Sequence, residues 1–137
     1  MILSLFTRRQ LRYFGSCVHN TRPSGLISNT VFPERAHRAE LERFGIEPYL
    51  DFAIFSSTLG IRKPHPAIFL KACKLAKCAP HESVYIGDRY LEDVIGPNAV
   101  GMPAILKILL GRDYPPMIPE STRRIWNLTE VFEHLEK

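Results

Sequence analysis

The 137-residue chain has no acidic residue before Glu34, although Arg8, Arg9, Arg12 and Arg22 come earlier. It has only three cysteines, Cys17, Cys73 and Cys78. They are too few and too oddly spaced for a disulfide framework or a zinc site, so a reduced, intracellular protein is expected. No apolar run approaches the roughly 18 residues that a membrane-spanning helix needs. Internal repeats, low-complexity tracts and basic stripes interleaved with aromatics are also missing. The net charge of +4 therefore suits small anionic ligands better than nucleic acid. An acid-free, Arg-bearing start is also what organellar transit peptides look like. Cytoplasmic placement is the expectation, with mitochondrial or other organellar targeting as the alternative.

What remains is ordinary for a soluble globular chain: 45% hydrophobic and 23% charged residues. The length suits one domain able to bury a core without cross-links. Met1 to Phe6 reads as a short strand, Arg8 to Val18 as a helix, and 20–25 as a loop. Leu26-Ile27-Ser28 is a brief strand, followed by a helix that Pro33 starts and Gly45 ends. Phe52 to Phe55 is a strand, Ser56 to Gly60 a loop, and Ile68, Phe69, Ala72, Leu75 and Ala76 trace an amphipathic helix from Pro66. A buried strand, Val84 to Ile86, ends on Gly87-Asp88. A further strand covers Ala104 to Leu110, and Gly111 to Ser121 is a proline-bearing loop. A last helix runs through Val131, Phe132 and Leu135 with Thr129 as its N-cap. Strands alternating with helices predict a doubly wound, mostly parallel sheet in a three-layer α/β/α arrangement. The core is expected at 25–137, with 1–24 a divergent N-terminal segment that leaves the sheet incomplete at that end.

Three successive strands are each followed by a chemically capable group: Ser28 with Asn29, then Lys63, then Asp88 with Asp93. Such positions converge on one edge of a parallel sheet. A hydroxyl, a fixed cation and a carboxylate pair together suit a phosphoryl group. Ser28 and the Asn29 amide would hold phosphate oxygens, and Lys63 would neutralise charge. Asp88 and Asp93 would offer hard oxygens to Mg²⁺. Each has a plainer alternative: Ser28 as a helix cap, Lys63 as a surface lysine, Asp88 as an N-cap. His37, His65 and His81 stand beside turn or helix-start residues and are expected at the surface.

Leu26-Ile27-Ser28-Asn29-Thr30, Arg62 to Phe69 and Ile86-Gly87-Asp88 through Asp93 resemble motifs II, III and IV of the haloacid dehalogenase (HAD)-like hydrolases. Gly96 to Met102 and Ile125 to Val131 resemble that family's following segment and its closing strand and helix. The resemblance runs from about Gly25 onward and implies a Mg²⁺-dependent phosphatase lineage working through an aspartyl-phosphate. It implies Ser28 as the phosphate-binding hydroxyl, Lys63 as the catalytic lysine and Asp88 as metal ligand, with Asp93 supporting that ligand. A small phosphorylated substrate or phosphate is the expected partner, with neither nucleic acid nor membrane.

The sequence departs from the family in one respect. Motif I, an Asp-x-Asp-x-Thr that supplies nucleophile and general acid, occurs nowhere in the chain. Thr7, followed by Arg8 and Arg9, falls near the nucleophile's place, and the gap from Thr7 to Leu26 leaves no room for a substrate-selecting cap. Such a chain is expected to be inactive or incomplete as an enzyme, or to serve as a non-catalytic binding or protein-interaction domain. The motif I strand is central in the family's sheet. If Ile2 to Phe6 did not fill that slot, two unpaired edges would favour homo-oligomer formation.

Overall fold

Strict alternation within the short strands decides which side chain faces which helix layer. A computed structural model describes residues 2–4 and 23–131. The expected helix at Arg8–Val18, Thr7, Cys17 and the stretch Phe132–Leu135 lie outside those residues. The strands are β1 (Ile2–Ser4), β2 (Gly25–Ser28), β3 (Phe52–Phe55), β4 (Tyr85–Gly87), β5 (Ala104–Lys107) and β6 (Arg123–Ile125). They pair in parallel throughout, in the order β3-β2-β1-β4-β5-β6. The central slot is filled by β1, where Leu3 lies between Leu26 of β2 and Ile86 of β4. The sheet is therefore continuous across the place where an open edge was the concern.

Among the helices, α1 (Glu34–Arg43) and α3 (Pro66–Ala76) are the long ones. Leu26, Phe55, Ile86 and Ile105 face Leu41 of α1 together with Ile46, Ile125 and Val131. Their strand neighbours Ile27, Ile54 and Tyr85 face Ile68, Phe69, Ala72 and Cys73 of α3. Two cores on opposite sheet faces make the three-layer α/β/α arrangement. Each large side chain so buried is worth about 1.5–3 kcal/mol. No helix among the described residues is long and apolar enough to cross a membrane.

Several local expectations change. Ser56–Leu59 is a single helical turn, α2, closed by Gly60 in the left-handed region at φ 76°. β5 stops at Lys107, and Leu110 is exposed. Asn127, rather than Thr129, opens the turn at Leu128–Glu130, because the Glu130 carboxylate reaches back to the Asn127 N–H at 2.7 Å. His37 is buried, not superficial. Its ring stacks on Phe55 at 5.3 Å, and Nε2 lies 2.6 Å from the Thr30 hydroxyl. His65 stays exposed and caps α3 by accepting the Ala67 N–H at 3.1 Å.

Candidate functional site

The strand order reverses direction between β1 and β4, because the chain winds one way through β2 and β3 and the other way through β5 and β6. Ligands of open parallel sheets bind outside the strands' carboxyl ends at such a switch point. β2 ends there on Ser28 and β4 on Gly87, with Asp88 next in the chain.

Lys63 is buried, and its ammonium donates to Asp93 Oδ1 at 2.6 Å and to the Tyr85 hydroxyl at 2.9 Å. Asp93 is 0% exposed, and its Oδ2 accepts the backbone N–H groups of Asp88 (3.1 Å) and Arg89 (2.9 Å). One carboxylate thus fixes both the lysine and the turn that carries Asp88. Gly87 makes this possible, since a Cβ there would overlap the Asp93 Cβ and carboxyl group. The helical segment that delivers Asp93 is wound wide, with Gly96 N–H reaching back five residues to the Leu91 carbonyl. Such widened turns recur at functional sites.

Asn29 contributes through its side chain. Its Oδ1 accepts the Lys63 N–H at 2.8 Å, and its Nδ2 donates to the Lys63 carbonyl at 2.9 Å. The amide brackets the lysine's own backbone and so sets where the ammonium begins. Ser28 is 1% exposed, and its hydroxyl has no hydrogen-bond partner among the described residues. It does not cap α1, whose N-cap is Pro33. An orphaned buried hydroxyl costs about 1–3 kcal/mol, which a bound acceptor would recover. Lys63 is equally far from being a surface lysine.

Asp88 is buried, and its Oδ2 lies 2.7 Å from Nη2 of Arg112. Burial pushes its carboxyl above the usual range, with Arg112 pulling it down and Asp93 adding to the rise. Lys107, at the end of β5, is also buried and donates to the Ile108 carbonyl at 3.0 Å. Burial lowers its pKa, with Asp88 and Glu130 opposing the shift. The Tyr114 hydroxyl accepts the Leu109 N–H at 3.0 Å and lies 3.1 Å from the Asp88 carbonyl. It thereby fastens the 108–122 loop across the ends of β4 and β5. Sequence reasoning missed Lys107, Arg112 and Tyr114. The one visible signal was a lysine at the end of an otherwise apolar strand.

Among the described residues, few oxygens are left for a divalent cation. Both Asp93 oxygens are engaged, and Asp88 faces a guanidinium. No group of three or more His, Cys, Asp or Glu side chains gathers among the described residues. The chain before Glu34 has no carboxylate that the end of β1 could add. Mg²⁺ prefers near-octahedral oxygen coordination, and a cation 2.7 Å from its one remaining ligand opposes it directly.

Residues 24–107 match the haloacid dehalogenase-like hydrolase family. The chain is 34% identical over 120 residues to haloacid dehalogenase-like hydrolase domain-containing protein 3 of Xenopus laevis, covering 88% of this chain and 43% of that one. It is 35% identical over 82 residues to a glyceraldehyde 3-phosphate phosphatase of Methanopyrus kandleri, covering 60% of this chain and 34% of that one. The crystal structure of a HAD phosphatase from Thermococcus onnurineus superposes with a TM-score of 0.72 at 27% identity, covering 94% of this chain and 56% of that one. The chain spans less than half the length of these two curated relatives.

Proposed function

Because this chain belongs to the haloacid dehalogenase-like hydrolase family, we propose that it is a domain of phosphatase lineage that recognises a phosphate monoester without hydrolysing it. The observation that carries this reading is a mismatch across the switch point. Ser28 and Lys63 are buried, while the segment that follows the central strand contains no carboxylate before Glu34.

In this reading Ser28 donates its hydroxyl to a phosphoryl oxygen, which fits its burial without a partner among the described residues. Lys63 supplies positive potential in a water-poor setting where it counts for more than at the surface. Asp93 and Asn29 act on Lys63: one fixes its ammonium, the other its backbone. Asp93 is then a positioning residue and not a metal ligand. Hydrolysis would need a nucleophile and a group to protonate the leaving oxygen. Thr7 has no negative charge, and Arg8 and Arg9 beside it offer neither function.

The test is phosphate release from an aryl phosphomonoester, with and without Mg²⁺. Release no faster than the protein-free control is expected. Turnover that Ser28→Ala abolishes would overturn the non-hydrolytic reading.

The partial coverage of the relatives favours a second reading, in which these residues are part of a longer phosphohydrolase. The DNA upstream of Met1, read in all frames, separates the two. An Asp-x-Asp-x-Thr strand encoded there favours the second.

A further inference from the structure

The mismatch between the donor set and a divalent cation singles out Arg112. It lies on the loop after β5 with its side chain 31% exposed, and its Nη2 is 2.7 Å from Asp88 Oδ2. Its Nε is buried with no hydrogen-bond partner among the described residues. A guanidinium carries five donors in a planar fork that suits carboxylate and phosphate oxygens alike, so pairing with Asp88 leaves donors over. The Ser28 hydroxyl is the second orphaned donor on this edge of the sheet. Ser28 ends β2 and Asp88 follows β4, on either side of β1, about 10 Å apart at two strand spacings. A phosphoryl group bridged by two side chains can span that gap. The loop is held in place by the Tyr114 hydroxyl at the Asp88 carbonyl, so Arg112 sits on an anchored segment.

We propose that Arg112 takes the place of the divalent cation: it neutralises Asp88 and offers its remaining donors to a phosphoryl group, so that the site binds phosphate without metal. This rests on the phosphate-recognition reading above and adds to it the ligand's metal independence and the residue responsible. No bond is made or broken. An oxyanion replaces water at donors that are already charged or orphaned.

The test is calorimetric titration of the full chain with inorganic phosphate, once in chelator and once in excess Mg²⁺, for the wild type, Arg112→Gln and Arg112→Lys. Equal wild-type affinity in the two conditions is expected. Arg112→Gln should bind at least tenfold more weakly in chelator. Arg112→Lys should fall between, because a point charge replaces a fork. Mg²⁺ titrated alone into the wild type should give no saturable heat.

Wild-type binding that requires Mg²⁺ overturns the inference and leaves phosphate recognition standing. So does Arg112→Gln binding as tightly as the wild type. No binding in either condition overturns phosphate recognition itself. If circular dichroism shows that Arg112→Gln is unfolded, the wild-type comparison and the lysine variant still decide.

Discussion

At the scale of the residue, the pair between Lys63 and Asp93 does two jobs with one contact of 2.6 Å. Both members are almost fully withdrawn from water, where removing one partner of an ion pair strands the other. Lys63→Met should therefore cost about 3–5 kcal/mol, measured by urea unfolding. The double variant Lys63→Met/Asp93→Asn should recover a large part of that loss, and a single substitution that costs nothing would contradict the assigned burial. Asp88 has the opposite tendency. Burial holds its carboxyl above the ordinary range despite Arg112, so the folded state binds that proton more tightly than the unfolded chain. Its contribution to stability is therefore present below the unfolded pKa and is lost as pH rises through the raised folded value. Asp88→Asn should be at least as stable as the wild type at neutral pH, with the difference vanishing in acid. Unfolding curves across a pH series check this, and a neutral-pH loss in Asp88→Asn would show that the Arg112 pair outweighs desolvation.

At the scale of the element, β1 and the 108–122 loop decide what the site is. β1 hydrogen-bonds on both sides, a position where proline is not tolerated because it removes a ladder donor. Leu3→Pro should expose the edges of β2 and β4 and shift the protein into aggregates on size-exclusion chromatography. A peak unchanged from that of the wild type would mean that the sheet does not depend on this strand. The strands and long helices were legible in the sequence because alternation and 3.6-residue spacing are local properties. Ser28, Asn29, Lys63, Asp88 and Asp93 could be proposed together from the sequence because each ends or follows a strand, and strand ends converge. Arg112 and Tyr114 were not, because nothing local in a loop with three prolines says which strand end it will cross. His37 was misplaced for a related reason: its cover comes from Phe55, distant in sequence. The side-chain bonds of Asn29 were not legible either, because the two-way bond to the Lys63 backbone exists only once two loops meet.

At the scale of the whole molecule, family membership and the proposed lack of turnover rest on different parts of the chain. The chain belongs to the haloacid dehalogenase-like hydrolase family, and it has the six-stranded order, the paired cores and the Lys63–Asp93 lock described above. The central strand nonetheless leads into a segment with four arginines and no carboxylate before Glu34. A sheet needs only backbone pairing and apolar faces, so it would tolerate a missing nucleophile that turnover would not. Recognition without turnover is the central claim, and ³¹P NMR of a phosphomonoester titrated with the full chain tests both halves at once. A saturable shift or broadening of the ester resonance is expected, weakened in Ser28→Ala, with no inorganic phosphate signal growing in over time. Inorganic phosphate accumulating with the wild type but not with Ser28→Ala, or an ester resonance that the protein never perturbs, would contradict it.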